Sequence, residues 1–216
     1  VARIAVIGGH GKVAVRLEPI LAGRGDFVSA IIRNREHTTD VTAAGAHPVV
    51  ADVEQLDTDH MAELFQGCDA VVWSAGAGGG NPARTYAVDR DAAIRSMDAA
   101  AKAGVKRYVM VSYLGARKDH AVAPDHPFFP YAEAKAAADD YLRSTSLEWT
   151  IVAPSTLTHD PGSGRIALAD HDHSGNVSRD DVAAVIAATL TMPKTVGKFI
   201  GFNQGETLIS DALASL

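Results

Sequence analysis

The chain has 216 residues, 47% of them apolar and 21% charged, with a formal net charge of −6. This is the composition of an ordinary globular chain. Its acidity, with no basic stripe, excludes nucleic acid as an expected partner, and no apolar run reaches the roughly 18 residues needed to span a bilayer. The single cysteine, Cys68, cannot form an internal disulfide and suits a reducing compartment. No leader-like run precedes the first strand and no linker divides the chain. The expectation is therefore a cytoplasmic protein whose residues 1–216 make one domain.

The apolar run Ile4-Ala5-Val6-Ile7 reads as a first strand, followed by the turn Gly8-Gly9-His10-Gly11-Lys12-Val13-Ala14. Gly9, Gly11 and Ala14 fit the spacing G-x-G-x-x-[G/A]; Gly8, Gly11 and Ala14 fit G-x-x-G-x-x-A equally well. In either register small residues let the backbone approach a pyrophosphate. The helix that follows offers free N–H groups and the positive end of its dipole. Gly8 through Val13, including His10 and Lys12, are thus expected contacts of a dinucleotide.

Val13, Leu17, Ile20 and Leu21 form the apolar stripe of that helix, and Pro19 inside it predicts a kink or an early loosening. Strands are expected at 27–32, 48–51, 70–73, 107–111 and 149–152. Helices are expected at 56–65, 84–103 and 131–144. The last sixty residues carry weaker patterns: a strand at 165–169, a helix at 180–190, a strand at 198–202 and a final helix at 208–216. Continuous apolar strands alternating with helices imply an α/β fold of Rossmann type, a doubly wound parallel sheet. Residues from about 155 onward form a small extension on the substrate side. Ligands of such a sheet lie at the carboxyl ends of its strands, which singles out Gly9, Arg33, Asp52, Ser74, Ser112 and Ala153.

A unit that prefers NAD usually ends its second strand on an acidic residue; here Arg33-Asn34-Arg35 stands there. A guanidinium can hold a 2′-phosphate by charge-assisted hydrogen bonds worth about 1.5–3 kcal/mol, so NADP is expected in preference to NAD. The alternative is a pair of solvated loop charges. Asp52-Val53 could bracket the adenine, or form a simple turn.

Tyr131 and Lys135 stand at i and i+4, one turn apart on one helix face. An ammonium nearby favours phenolate and lowers the tyrosine pKa from its ordinary value near 10. Ser112, ending the fifth strand, adds a hydroxyl able to hold a substrate oxygen. Together the three could move a proton to or from a carbinol while a nicotinamide moves the hydride. An exposed amphipathic couple is the plainer reading of the tyrosine and lysine alone.

The chain resembles the short-chain dehydrogenase/reductase superfamily, and within it the atypical branch of compact NAD(P)-binding, epimerase- or reductase-like proteins. The resemblance covers nearly the whole chain. It rests on the Gly8/Gly11 turn, Arg33-Asn34, Asp52-Val53, 73–78 (WSAGAG), Val88-Asp89, 104–112 (GVKRYVMVS), Tyr131 with Lys135, 149–154 (WTIVAP), 161–164 (PGSG) and 178–183 (SRDDVA). It implies catalytic positions for Ser112, Tyr131 and Lys135, with Lys135 also touching a cofactor ribose. It further implies that Ser74, Ala75, Gly76, Pro154 and Ser155 lie along the cofactor. The branch commonly has Arg-Pro after the sixth strand, where this chain has Ala153-Pro154.

Asp170 to Asp181 imitates a calcium-binding loop, but a strand rather than a helix is expected before it. Ser178-x-x-Asp181 reads more simply as a helix N-cap. His171 and His173 lack an evident third ligand, so no metal is expected. The stretch 118–130 reads as a lid over the substrate or as plain connection. Two functions follow. One is an NADP-dependent oxidoreductase or epimerase-like enzyme acting on a small carbonyl or hydroxyl compound. The other is an NADP(H)-binding sensor that signals to a protein partner.

Overall fold

The computed structural model describes residues 1–171 and 173–216. Its strands are β1 (Arg3–Ile7), β2 (Phe27–Ile32), β3 (His47–Val50), β4 (Ala70–Trp73), β5 (Arg107–Val111), β6 (Glu148–Pro154), β7 (Thr156–Thr158), β8 (Arg165–Leu168), β9 (Asn176–Ser178), β10 (Lys198–Gln204) and β11 (Thr207–Leu208). Its α-helices are α1 (Ala14–Gly23), α2 (Thr38–Ala43), α3 (Thr58–Leu64), α4 (Pro82–Thr85), α5 (Ala93–Lys102), α6 (Phe129–Ser144), α7 (Arg179–Thr189) and α8 (Ile209–Ala214). A π-helical stretch, Tyr86–Ala92, joins α4 to α5.

Nine strands form one sheet in the order β11-β8-β10-β6-β5-β4-β1-β2-β3. From β3 to β10 every pairing is parallel, and β8 and β11 add an antiparallel edge. The expected doubly wound parallel sheet is present. Successive residues of each strand point to opposite faces, so the sheet feeds two cores. Val6, Ala30, Val72, Val109 and Val152 face the layer of α1, α2, α7 and α8. Ala5, Ile7, Trp73, Met110 and Ile151 face the layer of α3, α5 and α6.

Because β1 pairs with both β2 and β4, the order reverses beside β1, and the crevice at its carboxyl end is where such sheets bind ligands. Helix α1 runs on through Pro19 to Gly23, held by the buried Leu17 and Leu21. The expected helix at 84–103 is in fact α4, the π-helical stretch and α5. The short elements α2, β7 and β9 had no counterpart in the sequence pattern.

Candidate functional site

Gly8 has φ +81°, and a Cβ there would lie 2.6 Å from Ala75 Cα. A Cβ on Gly9 would lie 2.6 Å from that of Ala30. The amides of both donate to the Ile31 carbonyl, at 3.1 and 3.0 Å, and Gly11 donates to Gly8 at 2.8 Å. The glycines therefore let the turn sit tight between β2 and the chain leaving β4. Helix α1 opens with no side-chain cap and no acidic residue in its first turn, so no side chain claims its leading N–H groups.

Above this turn lies a cavity of about 240 Å³. Gly8, His10, Gly11, Arg33, Asp52, Val53, Ser74, Ala75 and Gly76 all line it, gathered from the ends of β1, β2, β3 and β4. Gly9, Lys12 and Val13 belong to the turn but not to the wall. Gly9 packs on Ala30, Val13 is buried, and the Lys12 carbonyl accepts from Arg16. Arg33 is exposed and has no ion pair among the described residues. Asp52 accepts the Glu54 amide at 3.1 Å, making the expected turn while also lining the cavity.

Among the wall residues that sequence reasoning missed are His37, Glu54 and Arg84. His37 stacks on His10 with ring centroids 3.6 Å apart, and His10 bonds Asp40 at 2.9 Å. Arg84 spans from Glu54 (3.2 Å) to the Ala77 carbonyl (2.7 Å) and ties the glycine-rich loop to the end of β3. These contacts join distant segments, and no local motif announces them.

A second cavity, about 400 Å³, lies farther along the carboxyl edge, beyond β5 and β6. Ser112, Tyr131, Pro154 and Ser155 line it together with Tyr113 and Phe128. The structure thus brings Ser112 and Tyr131 to one cavity but sets Pro154 and Ser155 apart from the first.

Lys135 is 1% exposed and lines neither cavity. Its Nζ donates to the Val111 carbonyl at 2.9 Å and lies 3.1 Å from Met110 Sδ, with no hydrogen bond to Tyr131. The expected lowering of the phenol pKa does not occur. Burial, with Asp89, Asp139 and Tyr113 around it, pushes Tyr131 well above its ordinary value.

The ammonium instead acts electrostatically on two buried carboxyls, with no ion pair to either among the described residues. Asp89, in the π-helical stretch, accepts the Ala77 amide at 3.1 Å; Asp139, one turn after Lys135, accepts the Ser112 hydroxyl at 2.5 Å. Each keeps one oxygen without a hydrogen-bond partner among the described residues. Burial raises both carboxyls above the usual range, against the opposing pull of Lys135. Burial likewise lowers Lys135, against the pull of Asp139 and Asp89.

At the loop after β8, Ser178 caps α7 by accepting the amides of Asp180 (3.0 Å) and Asp181 (3.2 Å). The Asp181 carboxylate takes the amides of Ser163 and Gly164. His171 donates to the Leu114 carbonyl, whereas His173 pairs with Asp170. Asp172, part of the calcium-like pattern, lies outside the described residues. Among those described, no three His, Cys, Asp or Glu side chains gather as a metal site, and no helix is long and apolar enough to cross a membrane.

Comparison with known proteins agrees with this geometry. The profile of the NAD(P)H-binding family matches residues 8–193. The uncharacterized sugar epimerase YhfK of Bacillus subtilis is 34% identical over 216 residues, spanning 99% of this chain and 100% of the relative. A Bacillus halodurans structure, whose name proposes an NAD-dependent epimerase/dehydratase, superposes with TM-score 0.92 at 32% identity and covers 100% of both chains. The oxidoreductase ylbE of Lactococcus lactis superposes with TM-score 0.88 at 30% identity, covering 99% of this chain and 96% of that one. With the cavity over the glycine turn and a match across most of its length, the chain belongs to the NAD(P)H-binding family, in the atypical branch of the short-chain dehydrogenases/reductases.

Proposed function

We propose that the chain is an NADP-dependent oxidoreductase that acts on a carbonyl or carbinol carbon of a small molecule. One observation carries the reading: two cavities share the carboxyl edge of one sheet, the first walled by the glycine turn and Arg33, the second by Ser112 and Tyr131. The uncapped start of α1 and the exposed guanidinium suit a pyrophosphate and a 2′-phosphate. Asp52 and Val53 flank the adenine. When the dinucleotide is bound, its nicotinamide would supply hydride chemistry.

The rest belongs to the chain's own side chains. Tyr131, kept neutral by its surroundings, gives a proton to the substrate oxygen during reduction. Ser112, held by Asp139, bonds that same oxygen. Lys135 steadies Asp139 and Asp89 and fixes the end of β5 through the Val111 carbonyl. Its assignment is therefore as a positioning residue.

A second reading is a sensor of the NADP/NADPH ratio that signals to a protein partner. It is favoured by the inward bonds of Ser112 and Lys135, which leave Tyr131 as the one member of the trio with no hydrogen bond spent elsewhere among the described residues. Mass spectrometry of the nucleotide that co-purifies, followed by a carbonyl screen that monitors NADPH absorbance, separates the two. Turnover of any carbonyl compound establishes the enzyme; tight NADPH binding with no turnover across the screen favours the sensor.

A further inference from the structure

The two cavities divide their chemistry sharply. The first carries four charged side chains, Arg33, Asp52 and the paired Glu54 and Arg84, beside the stacked His10 and His37. Among the described residues that wall the second there is no lysine, arginine, aspartate or glutamate. Its histidine, His173, already faces Asp170. What it offers instead is neutral: the hydroxyls of Ser112, Ser155, Thr156 and Ser174 and a cluster of rings. Tyr113 meets Phe128 edge-on at 5.3 Å, Tyr113 meets Tyr131 at 5.6 Å, and Phe128 meets Tyr131 at 5.2 Å. Leu114, Pro154 and Leu157 add apolar wall. Phe128 is 39% exposed even within this cluster, so one aromatic face at the rim stays open for a ligand to cover.

From this we infer that the second cavity takes an uncharged, planar ring compound bearing a ring carbonyl, of the quinone class, and not a sugar nucleotide. A pyrophosphate brought into this space would lose water and gain no cation in return. A flat conjugated ring instead stacks on Phe128 and the tyrosines, and a cavity of about 400 Å³ accommodates roughly two or three fused rings. The redox step rests on the proposed hydride transfer; the binding step does not. Reduction balances with one hydride and one proton. The quinone gains two electrons and becomes the hydroquinone, reduced nicotinamide dinucleotide is oxidised, and Tyr131 supplies the proton and regains it from solvent.

The test is calorimetric titration of the full chain, with and without NADP⁺, using 2,3-dimethyl-1,4-naphthoquinone and, separately, UDP-glucose. The blocked ring carbons prevent addition to Cys68. Saturable one-to-one binding of the naphthoquinone is expected, weakened about tenfold by Phe128→Ala, with no saturable binding of UDP-glucose. Phe128 sits at the rim, and a circular dichroism melt verifies that the variant is folded. Absence of naphthoquinone binding, an unchanged affinity in Phe128→Ala, or UDP-glucose binding as tightly as the naphthoquinone overturns the inference. Naphthoquinone binding without any uptake of NADP⁺ or NADPH upholds the inference and removes the hydride-transfer reading. NADPH uptake without naphthoquinone binding does the reverse.

Discussion

Ser112 turns its hydroxyl proton inward, to Asp139 Oδ2 at 2.5 Å, although Ser112 itself lines the second cavity. While Asp139 is ionised, the serine oxygen can only accept from a substrate, which suits a carbinol. Once Asp139 is protonated, the carboxyl can donate to Ser112 and free the serine proton for a substrate carbonyl. Burial raises Asp139, opposed by Lys135, Ser112 and Arg143, with Asp140 assisting. The switch therefore lies above the ordinary carboxylate range. We expect carbonyl reduction to lose kcat/KM as pH rises through this titration, and carbinol oxidation to gain. Asp139→Asn should remove that limb of both profiles. Superimposable profiles for variant and wild type would refute the coupling.

The phenol of Tyr131 is neutral at physiological pH, since burial and Asp89, Asp139 and Tyr113 all oppose phenolate. Tyr131→Phe should lower turnover by about 10²–10⁴-fold, the range for losing a positioned general acid. Affinity for NADPH should hardly change, because Tyr131 lies in the second cavity and not the first. Steady-state kinetics beside a fluorescence titration checks both statements. Wild-type turnover in the variant would move the proton to water or Ser112.

Arg33 is expected to set the preference between dinucleotides. Arg33→Ala should weaken NADPH binding by about ten- to 150-fold, matching a charge-assisted hydrogen bond of about 1.5–3 kcal/mol, and leave NADH nearly unaffected. Solvent exposure of the guanidinium places the outcome toward the low end. Equal affinities for the two cofactors in the wild type would end this assignment.

Glu18 lies fully buried in α1 with neither carboxylate oxygen bonded among the described residues, and burial raises it to about 8. A carboxyl whose folded pKa is above its unfolded value holds its proton better when folded. Stability is then greatest below about 4.5, falls as pH rises toward about 8, and levels off beyond. Glu18→Met keeps the volume and removes the orphan oxygens. It should raise the melting temperature at pH 8 more than at pH 5. Thermal melts of both proteins at the two pH values decide this, and parallel shifts would count against it.

How far the sequence could be read depended on burial. Strands β2, β4 and β5 were legible to the residue because continuous apolar runs end abruptly at polar neighbours such as Asp26 and Asp69. Helix α2 was not, since six residues with one buried side chain, Val41, carry no period. The π-helical stretch was hidden for another reason: a slipped hydrogen-bond pattern leaves no trace in composition. At the site, the turn, Arg33, Asp52 and Ser74 could be found because strand ends are fixed by topology. The fate of Lys135 could not. Its spacing from Tyr131 was correct, but which neighbours its ammonium reaches depends on how α6 packs against the π-helical stretch and β5. Asp139 and Asp89, fifty residues apart, come to act on the same ammonium only through that packing.

The π-helical stretch also lets part of the chain absorb a change in its own length. A π turn contains one residue more than an α turn, so Tyr86–Ala92 stands one deletion away from a regular helix. Downstream, α5 is anchored by buried Met97 and by the 2.7 Å bond between Ser96 and Tyr108. Loss of Asp91 alone would therefore let the stretch close into a regular α-helix with both flanks still in register, because the π turn already carries the extra residue. Substitution at Asp91 would leave the winding intact. In descendants of this sequence, a one-residue deletion should be tolerated within this stretch and purged from regular helix interiors such as that of α6.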